Sequence, residues 1–349
     1  MKKILLLLVP LIAAGCAVTP VRRVAPVIRP LRLADKATVE SRVGELRALL
    51  TPLAYRGAVC YPRAVMASDI PLDFVFTRVG ELGFNRLCAR ISSEKELNDE
   101  LRAFLEAAHY FNMSVELVIS QGDFFPRPRG NRLLRQILPH TPDLIEAVGL
   151  IAEFNASLPP EHRIAGVTVF IEPQRMTIGS PSLPHDAIFA WSDKTYGPGL
   201  DNDLIVRAAF DMLRRLPEVA DGLPLAVAVP DFLHEKTLSG ELSIGKISDF
   251  CAIKGIDRVI VVSSGNRPTQ LVSEIANELK DAPAGAKIVI AVPVAEHFSV
   301  AEGALRRRDW KDYSRALGYL IRNTQSFSAF DGVAIGPLAH LQFMLNEKD

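Results

Sequence analysis

The 349-residue chain has no surplus of either charge, since 40 Lys and Arg stand against 40 Asp and Glu. Proteins that neutralise phosphate backbones usually carry a basic excess, so nucleic acid is not an expected partner. Aromatic residues make up only 7%, and Trp191 and Trp310 are the two tryptophans. The four cysteines, Cys16, Cys60, Cys88 and Cys251, include no pair at Cys-x-x-Cys spacing. The seven histidines are scattered, with no two at helical ligand spacing. Neither a metal site nor a cofactor is therefore expected. No apolar run is long enough to span a bilayer as a helix. CYPRAVMAS follows the first strand where a dinucleotide-binding fold would place its glycine-rich loop, and Ser263-Ser264-Gly265 lacks the nucleophile-elbow pattern.

What is present begins with residues 1–16, MKKILLLLVPLIAAGC. Two lysines, a short apolar run and the small residues Ala13-Ala14-Gly15 lead into Cys16. The segment resembles a bacterial lipoprotein signal. That resemblance implies removal of residues 1–15, acylation of Cys16, and a membrane anchor with no transmembrane helix. Ala17 stands where Asp favours inner-membrane retention, so the implied location is the cell envelope, at the outer membrane. Residues 16–34 read as a tether, with Pro20, Pro26 and Pro30 among Val and Arg and no helical or strand period. Arg22, Arg23, Arg29 and Arg32 can meet lipid phosphates there or stay solvated. From Asp35 onward the chain reads as one folded domain, 35–349. It opens with a helix to about Leu50, capped by Asp35, with Val39, Val43, Leu46 and Leu50 on one stripe.

From Tyr55 onward, short apolar runs alternate with helical patterns. Strands are predicted at 55–60, 84–91, 114–120, 165–172, 224–230, 256–264, 286–294 and 330–336. Helices are predicted near 71–82, 94–111, 142–157, 202–216, 244–254, 268–280, 310–324 and 338–346. Eight such units point to a single (β/α)8 TIM barrel, with an open doubly wound sheet as the alternative. The connections 121–141 and 173–201 are far longer than the rest, and both leave from the strand ends where a barrel builds its site.

The stretch Ile164 to Gln174, IAGVTVFIEPQ, is the centre of the functional reading. Period-two alternation puts Val167, Val169 and Ile171 on one face and Thr168, Phe170 and Glu172 on the other. If the branched face packs under helices, Glu172 points into the mouth of the barrel. A Glu that caps a loop or pairs with an Arg is the plainer alternative.

Glu172 after the fourth strand and Glu296 after the seventh, in AVPVAEHF, resemble the four-seven arrangement of the large clan of retaining glycoside hydrolases. The chain also resembles uncharacterised bacterial lipoproteins with a DIEP-like fourth strand. The resemblance implies a glycan substrate, Glu172 as acid/base and Glu296 as nucleophile. It departs from the clan at Ile171, where an Asn is expected, and in the last strand, which ends AIGPLAH. Strict alternation also puts Glu296 on the face of Ile288, Ile290 and Val292, which should meet helices.

Other polar groups fall near strand ends or in the long loops. Arg90 shares a strand face with Cys88 and is a candidate clamp for a carboxylate or a sugar hydroxyl, or an ion-pair partner of Glu172 or Asp123. Asp231, past Pro230, is a second candidate acid. Asp123, Phe124, Phe125, Trp191 and Tyr196 combine acid with aromatic faces, as sugar clefts do and as loops packed on themselves also do. Arg86 and Glu116 occupy equivalent early positions on adjacent strands and read as a structural ion pair. Cys60 and Cys88 end neighbouring strands and read as buried thiols rather than a disulfide; Cys251 has no evident partner. The composite expectation is a membrane-anchored, glycosidase-like barrel acting on an envelope or extracellular glycan. The alternative is a catalytically inactive carbohydrate-binding or scaffold protein on the same fold.

Overall fold

Asp35 caps the first helix, α1 (Lys36–Leu50), by accepting a hydrogen bond from the Thr38 N–H at 2.8 Å. The computed structural model describes residues 33–68, 70–120, 141–175, 177–179, 188–263, 268–294 and 310–347. Eight strands follow α1: β1 (Tyr55–Cys60), β2 (Arg86–Arg90), β3 (Ser114–Ser120), β4 (Gly166–Phe170), β5 (Leu225–Pro230), β6 (Ile256–Val262), β7 (Ile288–Pro293) and β8 (Phe330–Gly336). Each pairs in parallel with its chain neighbours, and β8 pairs with β1. The sheet therefore closes into one eight-stranded barrel. Closure removes the edges of an open sheet and excludes the doubly wound alternative.

The helices between them are α2 (Pro62–Met66), α3 (Leu72–Glu81), α4 (Asp99–Tyr110), α5 (Thr141–Ala156), α6 (Asp201–Val219), α7 (Phe232–Leu238), α8 (Ile247–Cys251), α9 (Pro268–Asp281), α10 (Trp310–Thr324) and α11 (Leu338–Asn346). The N-terminal helix α1 packs against α10 and α11. Trp310 Nε1 donates to Glu45 at 2.8 Å, and the buried Arg42 donates to the carbonyls of Leu345 and Glu347 at the end of α11. The guanidinium thus satisfies carbonyls that the last helical turn leaves without partners.

Alternation along the strands separates two cores. Outward residues such as Val167, Val169, Ile171, Val227, Val229, Ile288, Ile290 and Val292 pack under the helices. Inward residues Tyr55, Val59, Cys88, Phe170, Ala226, Ala228, Ile260, Val262, Val289 and Ala334 fill the barrel. Large rings meet small residues there. At Gly57 a Cβ would sit 2.8 Å from both the Cys88 sulfur and the Tyr55 ring.

The amino-terminal floor of the barrel is closed by an ionic network around Tyr55. Arg86 pairs with Glu116, as the sequence suggested, and Arg258 joins them from across the barrel at 3.0 Å. Arg258 also reaches Asp331 at 3.2 Å. The Tyr55 hydroxyl donates to Glu116 at 2.8 Å, and both guanidinium groups lie over its ring, at 4.9 and 4.6 Å. Burial would depress the Arg258 pKa, but the charges of Glu116, Tyr55 and Asp331 outweigh it and raise the pKa. The register slips by one residue at Asp331, between Phe330 and Gly332. Such a bulge re-aims a side chain at a barrel rim, and here Asp331 meets Arg258.

Cys60 and Cys88 are free and buried. Cys60 lies outside the barrel wall with Ala58, whereas Cys88 lies inside it, so the two thiols face opposite sides of the sheet. Burial pushes the Cys88 thiol up to about 12, which leaves it inert as a nucleophile at neutral pH.

Candidate functional site

The strand ladder continues past β4, because Ile171 N–H donates to the Ala228 carbonyl at 3.0 Å. Glu172 therefore keeps the inward register of Thr168 and Phe170 and emerges at the carboxyl end of the barrel. It is 1% exposed. The hydroxyl of Ser120, the last residue of β3, donates to Glu172 Oε2 at 2.9 Å. Arg90 ends β2 in the inward register of Arg86 and Cys88 and is partly buried. The upper rim on this side thus runs Arg90, Ser120, Glu172 along three consecutive strands.

The opposite wall carries different chemistry. The inward registers of β5, β6 and β8 end in Pro230, Val262 and Gly336, which are apolar or small. Asp231 lies one residue past Pro230, in the outward register of Leu225, Val227 and Val229. It is buried at the start of α7, and its charge acts on Glu278 of α9 outside the barrel wall. Glu296 and Asp123, with Phe124 and Phe125, lie outside the described residues, as does Cys16.

Trp191 and Tyr196 follow a two-stranded antiparallel ribbon, Thr177–Gly179 with Ile188–Ala190, inside the long connection after β4. Their rings meet edge-to-face at 5.7 Å. Trp191 also packs edge-on against Phe232, the first residue of α7, at 5.7 Å. Lys236 lies 4.3 Å over the Tyr196 ring and pairs with Glu241 at 2.6 Å. Both aromatics are partly buried, and they fasten the end of the β4 connection to the helix after β5.

Two fully buried residues hold that connection in place. Asn202 accepts from Ser192 N–H and donates to the Ser192 carbonyl, at 3.0 and 2.7 Å. Asp203 accepts from Gly199 N–H, Arg207 and both donors of Ser243. Burial alone would raise the Asp203 pKa; these hydrogen bonds overcome it and lower the pKa. The loop end is thus clamped from α6 and from the segment after α7.

Ser120 was not singled out from the sequence. The signal was available, since alternation along SVELVIS places it on the face of Glu116 and Val118 at the strand's carboxyl end. His234 is buried and accepts from Ile247 N–H at 3.3 Å, joining α7 to α8. Among the described residues, no three His, Cys, Asp or Glu side chains converge as metal ligands.

No family model matches the chain, and no curated protein matches it. Solved structures do. An intracellular xylanase from Thermoanaerobacterium saccharolyticum aligns over 84% of this chain and 89% of its own, at 12% identity and a TM-score of 0.47. Xylanase 10B from Thermotoga maritima aligns over 83% and 85%, at 12% identity and a TM-score of 0.43. A GH113 beta-1,4-mannanase aligns over 81% and 87%, at 9% identity and a TM-score of 0.43.

Proposed function

We propose that the protein is a glycosidase-like barrel of the bacterial cell envelope, anchored through acylated Cys16, that cleaves an envelope or extracellular glycan with Glu172 as its proton donor. The observation that carries this reading is the placement of Glu172: a buried carboxyl group at the carboxyl end of the fourth barrel strand, oriented by Ser120. Glycoside cleavage needs one carboxyl group to protonate the leaving oxygen and a second to meet the oxocarbenium-like carbon. Glu296 fills the second role in this reading, as the nucleophile of a retaining mechanism, which requires a carboxyl separation of about 5–5.5 Å. In this reading Arg90 binds substrate hydroxyls beside the acid, and Trp191 and Tyr196 contribute aromatic faces to the sugar.

A second reading is a glycan-binding barrel without turnover. It is favoured by the described ends of β5, β6 and β8 on the opposite wall, where the inward positions are Pro230, Val262 and Gly336 rather than carboxylates. One experiment separates the two. Turnover and binding of a panel of envelope glycans are measured on wild type, Glu172→Gln, Glu296→Gln and Asp231→Asn. The enzyme reading expects Glu172→Gln to lose about 10²–10⁴-fold in rate while still binding, because an amide keeps the shape but cannot donate the proton. Wild type that binds a glycan without cleaving it establishes the binder.

A further inference from the structure

On the flank of the barrel, α3 and α4 enclose an open groove of about 410 Å³ lined by Asp73, Ala103, Glu106, Ala107, Tyr110 and Phe111. Tyr110 is 77% exposed, and Phe74, next to Asp73, is 63% exposed. Most large apolar residues on these helices are buried: Phe76 and Phe104 pack at 5.4 Å beneath the groove, and Phe76 stacks on Phe111 at 5.8 Å. Two solvent-facing rings beside a groove lined by alanines, aromatics and two acids form an exposed patch of the kind that partners cover. The groove is also acidic. Asp73 accepts only from the neighbouring Phe74 N–H, and neither Asp73 nor Glu106 forms an ion pair among the described residues.

We propose that this groove is the docking site of residues 17–32 of the same chain. The first 34 residues hold six of the 40 basic residues and none of the 40 acidic ones, so the remainder carries net negative charge. Four of the six, Arg22, Arg23, Arg29 and Arg32, fall within this segment, interleaved with Pro20, Pro26 and Pro30. A proline-punctuated segment favours the polyproline II conformation, which docks into aromatic-lined grooves at low entropic cost. The arginines match Asp73 and Glu106 in sign. Reach is sufficient. The described chain starts at Leu33, bridged to Glu347 at the end of α11. Sixteen residues at about 3.1 Å each span roughly 50 Å, comparable to the diameter of roughly 50 Å that size scaling gives a domain of this length. Covalent linkage supplies an effective concentration in the millimolar range, so weak contacts suffice. Docked, the segment holds the α3–α4 flank toward Cys16, instead of leaving the barrel to swing on a free leash.

The test is hydroxyl-radical footprinting of Tyr110 and Phe74 in the full chain, with Tyr61 as a reference outside the groove. Wild type is compared with a chain in which Arg22, Arg23, Arg29 and Arg32 are changed to Glu, and with Asp73→Lys/Glu106→Lys. The proposal expects both variants to label Tyr110 and Phe74 several-fold faster than wild type. Combining the two sets of changes restores opposite charges and should restore protection. Equal labelling of wild type and the arginine-reversed chain overturns the proposal. Protection that grows with protein concentration, or that appears only with lipid vesicles, also overturns it, assigning the groove to a second copy or to a bilayer.

Discussion

Ser120 and Glu172 meet across neighbouring strands with a hydroxyl-to-carboxylate distance of 2.9 Å, both side chains buried at the carboxyl end of the barrel. Each is the inward residue that closes its strand's alternation, so the contact is fixed by the register of β3 on β4, in which Ser120 pairs with Phe170. A donor of this kind favours one orientation of the carboxyl group.

Removing that donor should therefore disturb chemistry more than folding. Ser120→Ala is expected to cost about 1 kcal/mol of stability, the usual net value of one hydrogen bond. If Glu172 is the proton donor, the variant should lower kcat roughly tenfold with KM little changed, the pattern of an interaction made in the transition state. Ser120→Thr keeps the hydroxyl and should recover part of the loss. A variant with wild-type kcat would show that Ser120 does not position the acid.

The floor of the barrel makes the opposite prediction, stability without activity. Glu116 accepts from Tyr55 and pairs with both Arg86 and Arg258. Glu116→Ala leaves two partly buried guanidinium groups with only Asp331 as an anionic partner in this network; removing one partner of a fully buried pair typically costs about 3–5 kcal/mol, which is the upper bound here. Thermal unfolding should show a large drop in Tm for Glu116→Ala and a smaller one for Tyr55→Phe, which loses the hydroxyl's contacts to Glu116 and to the Cys88 sulfur but keeps the ring beneath its cations. Equal and small effects would mean that water reaches the floor and screens the charges.

The floor also shows what a sequence can and cannot disclose. Arg86 and Glu116 were recognisable as a pair because they occupy matching positions on consecutive strands. Arg258 and Asp331 were not, since they arrive from across the barrel, and Asp331 gains its direction from a one-residue bulge. The strands themselves were legible to within about two residues, because a parallel barrel strand is a continuous branched run bounded by turns. The same alternation placed Glu172 inward. It says nothing of Asp231, because the strand ends at Pro230 and Asp231 already has the helical backbone of a cap at the start of α7. Helices α2 and α7, five and seven residues long, are too short to display a helical period. The Asn202 and Asp203 clamp depends on partners up to 40 residues away and leaves no local pattern.

Anchoring has a direct chemical readout. If Cys16 is the acylated first residue of the mature protein, wild type should incorporate a palmitate analogue during growth and sediment with membranes. Cys16→Ser should do neither, while its barrel folds normally, because the described domain begins beyond the tether. Wild type that stays unlabelled removes the anchor and with it the envelope location.

Glu278 gives the protein a pH dependence that can be worked out in sign. The side chain is 2% exposed on α9, and its Oε2 finds no hydrogen-bond partner among the described residues. Burial, reinforced by the charges of Asp231, Glu235 and Glu274, raises its pKa well above the ordinary carboxylate range. The folded protein thus keeps a proton here that the unfolded chain releases. Stability must fall as pH rises through the interval between the unfolded and folded pKa values, because the native state binds more protons there. Below the unfolded value both states are protonated, and the stabilisation is fully present. Glu278→Gln fixes the neutral form. Its Tm should exceed that of wild type at about pH 8 and converge on it near pH 4, read by thermal melts across that range. Asp231→Asn, which removes a like charge that helps to raise the Glu278 pKa, should flatten the wild-type slope in part. A Glu278→Gln variant that is less stable than wild type by the same amount at every pH would show instead that the carboxyl group is held by contacts an amide cannot make, and that no proton is stored between α7 and α9.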